Sequence, residues 1–196
     1  MGTIKIGSSK DKKGVTINPS TVLFNGKNVK KIMSGLTEIW VPKMIWFSKG
    51  KLFNTNLFGT PIFVTQNNGV VNSSTYGNDG YIYLGYGTNS GGTDALVYTN
   101  NRITRGVYSK AVVSFVLSEN SPYDQHKFRF GFRGSHTNQS DIANASYYTN
   151  TFNVSNALQT QELDLTQYNA SGTDLYFFVG GGGNKAKIYN IEFVLK

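Results

Sequence analysis

Apolar and polar residues alternate along five separate stretches of the chain, namely 81–86, 111–117, 127–133, 174–179 and 185–195. A period of two places successive side chains on opposite faces of a β-strand. No stretch shows a convincing helical period, and at most 140–145 or 155–158 would form one turn of helix. Short strands bounded by Gly, Asn, Ser or Asp, without the helices that parallel crossovers need, predict an antiparallel β-sandwich or jelly roll.

One face of these strands is apolar and is expected to form the core between two sheets. The residues predicted to lie inside are Phe115, Leu117, Phe128, Phe130, Phe132, Leu175, Phe177, Ile191 and Phe193.

A second, smaller pattern lies near the N-terminus. Residues 22–24 and 29–33 flank Asn25-Gly26, the strongest short hairpin signal, and Ser34-Gly35 then turns the chain into residues 37–40. Three short strands are predicted. Some forty residues without cysteine or metal rarely bury enough apolar surface to fold alone, so this unit is expected to fold on the larger region or on a partner.

Charge divides the chain at the same place. Residues 1–51 carry ten lysines against Asp11 and Glu38, so the whole formal net charge of +8 lies there, whereas residues 52–196 are neutral overall. We therefore predict two units, an attachment module over 1–45 and a β-sandwich over 46–196.

The N-terminal pattern resembles a known module. Asn25-Gly-Lys-x-Val-Lys-Lys-Ile32 and Gly35-x-x-Glu-Ile-Trp40 resemble a short module at the N-terminus of structural proteins of phages that infect Gram-positive bacteria, in tail tips, baseplates and head fibres. The resemblance covers about residues 15–42. It implies a virion protein, assembled in the host cytoplasm, whose partners are other phage structural proteins. The expected attachment residues are Phe24, Lys30, Lys31, Ile39 and Trp40.

The larger region also resembles a family. The order of its segments, from the early stretch 79–87 through 108–121 and 127–133 to the final 175–196, is similar to that of a jelly-roll carbohydrate-binding module. The resemblance implies saccharide binding, here to host cell-wall polysaccharide or teichoic acid.

The outward faces of two strands supply candidate saccharide contacts. If Ile82 faces the core, Tyr81 and Tyr83 face outward, and Arg129 and Arg133 lie opposite the apolar face of their own strand. Aromatic rings stack on sugar C–H faces and guanidinium groups donate paired hydrogen bonds, so these four residues are expected to share one exposed sheet face. The alternative is that they merely cover a solvated sheet.

Three loops add further candidates. Tyr147 and Tyr148 follow a polar run, and either both contribute to the saccharide site or one ring is buried and the other exposed. Residues 180–184 (Gly-Gly-Gly-Gly-Asn) are predicted to form a flexible hairpin loop. No cofactor is expected, although acidic residues near loops leave a structural calcium ion open. Those residues are Asp79, Asp94, Glu119, Asp124 and Asp174.

Other function classes are disfavoured. The two histidines, His126 and His136, sit at opposite ends of one predicted strand, and no carboxylate pair has a recognisable catalytic context, so we predict no enzyme. The N-terminal lysines lack interleaved aromatic residues, which disfavours nucleic acid, and no apolar run reaches the length of a membrane span. Without cysteine there is neither a disulfide framework nor thiol chemistry.

Two functions remain. The first is a virion adhesion protein that binds a host saccharide, and the second is a purely structural decoration or fibre protein, in either case with homo-oligomer formation left open. A third, an accessory module of a secreted enzyme, is disfavoured because no secretory signal is recognisable.

Overall fold

The computed structural model describes residues 43–66, 69–71, 80–86, 94–136 and 147–196, together with four short strands between residues 23 and 40. Most of the described chain forms two antiparallel sheets. The five-stranded sheet has the spatial order β13 (Tyr147–Tyr148), β12 (Arg129–Arg133), β15 (Tyr176–Gly182), β10 (Asp94–Tyr98) and β7 (Ile62–Gln66). The seven-stranded sheet runs β14 (Ser155–Asp164), β11 (Tyr108–Glu119), β16 (Lys185–Leu195), β5 (Lys43–Ser48) and β6 (Lys51–Leu52), with β9 (Ile82–Tyr86) beside β16 and β8 (Gly69–Val71) beside β9.

The core lies between the two sheets. Every residue predicted to be inside is buried, and rings from opposite sheets meet there: Phe177 packs edge-on against Phe193 at 5.0 Å, and Phe115 lies 4.9 Å from Phe128. The predicted fold class, a small N-terminal hairpin module followed by an antiparallel β-sandwich, is confirmed.

Among the described residues, helical structure is limited to short turns. They are α1 (Thr55–Phe58), α2 (Thr166–Ala170) and a 3₁₀ turn at Asp124–His126. The possible helical turn at 155–158 is instead the start of β14, and the one at 140–145 lies outside the described residues. Within the described part of the chain, no helix is long and apolar enough to cross a membrane.

Glycines 180–182 belong to a strand, which corrects the prediction of a flexible loop. β15 continues through Gly182, and only Gly183 and Asn184 turn the chain into β16. A Cβ on Gly180, whose φ is +142°, would lie 2.3 Å from the Ala95 carbonyl oxygen, and one on Gly181 would lie 2.7 Å from that of His126. These glycines are needed because other backbone segments pass directly over them.

The N-terminal strands form two short hairpins. β1 (Leu23–Phe24) pairs with β2 (Lys27–Asn28), and β3 (Ile32–Ser34) pairs with β4 (Thr37–Trp40). The prediction of three strands with the second at 29–33 is therefore corrected to four short strands, the second of which is Lys27–Asn28. Of the expected attachment residues, Phe24, Ile39 and Trp40 lie on these strands. Lys30 and Lys31 lie outside the described residues.

Candidate functional site

The four residues expected to share one exposed face lie on different sheets. Tyr83 is on β9 of the seven-stranded sheet, and Tyr81 is the residue before that strand begins. Arg129 and Arg133 are on β12, in the five-stranded sheet. The expectation of a common face is wrong because β9 pairs with β8 and β16, and β12 pairs with β13 and β15.

The two arginines are also buried. Arg133 is 1% exposed; its guanidinium lies 4.7 Å from the centre of the Phe178 ring and donates to the Tyr98 hydroxyl at 3.2 Å. The physical reason is a second apolar cluster, Leu96, Tyr98 and Phe178, on the outer face of the five-stranded sheet. Arginines beside such a cluster pack over aromatic rings, so facing away from the core does not make them accessible.

Tyr147 and Tyr148 differ in burial: the Tyr147 ring packs inward and the Tyr148 ring is exposed, which is the second of the two alternatives. The Tyr147 ring packs 6.5 Å from Phe132, and its hydroxyl donates to the Asp164 carbonyl oxygen. Tyr148 is 38% exposed, with the Arg129 guanidinium 5.2 Å from its ring centre. Arg129 in turn donates to an Asp124 carboxylate oxygen at 3.0 Å. Arg129 and Tyr148 are therefore brought together, away from Tyr81 and Tyr83.

Three half-buried tyrosines form a surface on the seven-stranded sheet, which we name the tyrosine platform: Tyr81, Tyr83 and Tyr189. Ile82 and Ile188 are opposite each other and fully buried, so the residues next to them in each strand face outward. The rings of Tyr81 and Tyr189 lie 5.5 Å apart, and Tyr83 is directly opposite Lys187.

Gly85 gives Tyr83 its position. A Cβ on Gly85 would lie 2.4 Å from the Tyr83 hydroxyl oxygen and 2.9 Å from a ring carbon. The Tyr83 side chain therefore extends along the strand over the glycine. Burial raises the pKa of its hydroxyl, which stays protonated as a hydrogen-bond donor at neutral pH.

Two lysines of β16 place positive charge beside the rings of the platform. The Lys187 ammonium lies 4.8 Å from the Tyr81 ring centre, and that of Lys185 lies 4.6 Å from the ring centre of Tyr86. Glu119 accepts a hydrogen bond from Lys185 at 2.8 Å and another from the Tyr86 hydroxyl. These bonds lower the pKa of Glu119, and the bond to Glu119 raises the pKa of Lys185. Both groups are therefore charged at neutral pH.

Tyr189, Lys185 and Lys187 were not among the residues predicted from the sequence. Their signal is the alternation Lys185-Ala-Lys187-Ile-Tyr189, which identifies three outward-facing polar or aromatic side chains on one strand. The pairing of that strand with β9 was the missing information.

Metal ligands do not converge in the described residues, where no group of three His, Asp or Glu side chains is placed to hold an ion. Asp124 contacts Arg129, and Asp174 accepts a hydrogen bond from the Arg105 amide at 2.9 Å. His136 packs 4.0 Å from the Tyr176 ring. Asp79 and the side chain of Asp94, two of the acidic residues named for a calcium ion, lie outside the described residues.

Comparison with known proteins identifies a fold. No protein-family model and no curated protein matches the chain. Solved structures with the same fold include a mutant of a family 29 carbohydrate-binding module, described as probing the mechanism of ligand recognition; it is 11% identical with a TM-score of 0.50, over 78% of this chain and 89% of that one. They also include another family 29 carbohydrate-binding module, 11% identical with a TM-score of 0.50, over 78% of this chain and 87% of that one. The chain therefore has the β-sandwich fold found in carbohydrate-binding modules.

Proposed function

We propose that this protein is a phage virion component that attaches through residues 1–45 and binds a saccharide of the host cell surface through its β-sandwich. The observation that carries the saccharide site is the tyrosine platform, where three aromatic rings and two ammonium groups share one outer sheet face. Rings supply stacking surfaces for sugar C–H groups, and the Tyr hydroxyls and Lys ammonium groups supply hydrogen bonds to sugar hydroxyls. The fold shared with carbohydrate-binding modules supports the same conclusion.

Virion attachment is supported by different observations. The N-terminal motif resembles a module of phage structural proteins, and the described strands there are only two to four residues long. Residues 1–45 carry eight lysines against Asp11 and Glu38, so six of the eight net positive charges lie there. Immunogold labelling of purified particles with antibody against the sandwich tests the location, and particles without label would contradict it.

Saccharide binding is tested on the full chain with Tyr83→Ala and Tyr83→Phe. Losing the ring removes a stacking surface worth about 1.5–3 kcal/mol, so we expect a roughly ten- to hundredfold weaker affinity for host cell-wall polysaccharide in calorimetry. Tyr83→Phe keeps the ring and should retain most of the affinity.

Tyr148→Ala is the matched control because it removes an exposed tyrosine from the other sheet. If Tyr148→Ala abolishes binding while Tyr83→Ala does not, the site lies on the five-stranded sheet. A wild-type chain that binds no host polysaccharide even in multivalent display would favour the structural role.

The structural role is the second candidate, and β14 favours it. This ten-residue strand is at the edge of its sheet and contains neither lysine nor proline, while Leu158 is 61% exposed and neighbouring Val154 is 53% exposed. Long edge strands with exposed apolar side chains are templates for pairing with another chain. Leu158→Glu should reduce self-association measured by sedimentation velocity if β14 is an assembly contact.

A further inference from the structure

Four lysines lie on or beside the tyrosine platform. Lys185 and Lys187 are on β16, and Lys49 and Lys51 lie at the β5–β6 turn, which is tied to the platform because the Lys49 amide donates to the Tyr189 carbonyl oxygen at 3.3 Å. Lys51 is opposite Ser48, which is itself opposite the residue after Tyr189. The four lysines therefore belong to one contiguous part of the sheet.

Three of these charges have no ion-pair partner among the residues that the structure describes. Lys185 pairs with Glu119, but in the described parts of the chain no carboxylate lies within ion-pair distance of Lys49, Lys51 or Lys187, and all three side chains are exposed. The nearest other carboxylate along β16, Glu192, is paired with Lys43 at 2.6 Å. Counted over the described residues, these four lysines and Glu119 give this part of the sheet a net charge of three positive units.

We infer that the ligand of the tyrosine platform is an anionic saccharide polymer, with phosphate or carboxylate groups repeated along its chain. The inference rests on the proposed function, since it names the ligand class of the same site. A neutral glycan would leave the three ammonium groups without a counter-charge, whereas a polyanion gains attraction from each. Lysine is a compact charge on a flexible stem, which suits a polymer whose anionic groups are not held in one orientation.

The experiment measures calorimetric binding of the full chain to three polymers of matched length: a polyol phosphate, a uronate polymer and a neutral glucan. We expect the phosphate polymer, the uronate polymer or both to bind at least about tenfold more tightly than the glucan, and this preference to fall as salt rises from about 0.05 M to about 0.5 M. The relative affinities of the two anionic polymers then identify which anionic group is recognised.

Two matched substitutions locate the charge effect. Lys187→Gln and Lys127→Gln each remove one charge, but Lys127 precedes β12 in the other sheet and lies 3.7 Å from Asp124. We expect Lys187→Gln to weaken anionic binding several-fold, Lys127→Gln to leave it unchanged, and the triple change at Lys49, Lys51 and Lys187 to remove the preference over glucan.

Tyr83→Ala separates platform binding from general attraction to a basic chain because it keeps every lysine. The charge inference would be overturned, and the proposed function kept, by the following result. Glucan binds as tightly as the anionic polymers, the triple change leaves glucan binding unaffected, and Tyr83→Ala abolishes it. Equal losses in Lys187→Gln and Lys127→Gln, or anionic binding that survives Tyr83→Ala, would also overturn the charge inference. A wild-type chain that binds none of the three polymers would overturn both.

Discussion

Glu119 joins two side chains of the platform edge. It accepts hydrogen bonds from Lys185 and from the Tyr86 hydroxyl, and its own pKa is lowered mainly by the first of these. A carboxyl whose pKa is lower in the folded state stabilises the fold above its ordinary value of 4.5, and this contribution is lost as pH falls through the lowered pKa. Because the side chain is 44% exposed, the contribution is expected to stay below about 1 kcal/mol.

Glu119→Gln tests this contribution. The variant should be slightly less stable than wild type at neutral pH, and the difference should shrink below pH 4.5 as wild-type Glu119 becomes protonated. Urea unfolding of both proteins from neutral pH down to about pH 3 measures it, with Tyr86→Phe as a smaller perturbation of the same group. A stability difference that stays constant over that range would contradict the assignment.

Individual side chains show what strand parity can and cannot predict. Parity correctly placed Tyr83 outward and Phe130 inward from the sequence. It also placed Arg133 away from the core, yet Arg133 is buried because Tyr98 and Phe178, on two other strands, form an apolar surface beside it. Parity describes one strand, whereas exposure depends on neighbours that sequence order does not reveal.

The β12–β13 pair depends on a residue without a side chain. Gly131 lies opposite Tyr148, and a Cβ there would be 2.2 Å from the Tyr147 carbonyl oxygen and 2.5 Å from the Tyr148 Cα. Both contacts are with backbone, which cannot move aside as the end of a flexible side chain can. Any larger residue at this position must separate the two strands.

Gly131→Ala should therefore destabilise the fold by roughly 1–3 kcal/mol, as overpacking usually does. Gly134→Ala is the control, because its Cβ would meet only a Leu175 methyl at 3.9 Å. Urea midpoints of the two variants measure the difference, and equal midpoints would show that β13 shifts at little cost.

Strands could be predicted from the sequence where one face is apolar and the other is polar. β9, β11, β12, β15 and β16 all follow the alternation read from the chain. β14 was missed because Leu163 is its only buried residue in an otherwise polar edge strand, which leaves no apolar period to detect. Glycines 180–182 were read as a loop because composition does not distinguish flexibility from the close approach of another backbone segment.

At the scale of the whole molecule, the predicted division into two units suggests a place to truncate the chain. β5 begins at Lys43 and contributes Trp46 and Phe47, both fully buried, so it belongs to the sandwich even though the predicted boundary follows residue 45. Deleting residues 1–42 should leave a soluble, folded sandwich with unchanged saccharide affinity that no longer enters particles. Circular dichroism, calorimetry and the protein content of purified particles measure the three outcomes; normal incorporation would exclude an attachment role for the deleted residues.

The pairing of β16 also determines when the sandwich can form during synthesis. β16 lies between β11 on one side and β5 and β9 on the other, yet it is translated after all three of them. Until β16 is translated, the hydrogen-bonding edges of β5, β9 and β11 that face it remain unpaired. β5 is separated from β16 by more than a hundred residues. Closing such distant pairs is slow, and unpaired edges on a nascent chain attract other chains. The seven-stranded sheet therefore cannot be completed until β16 has been translated.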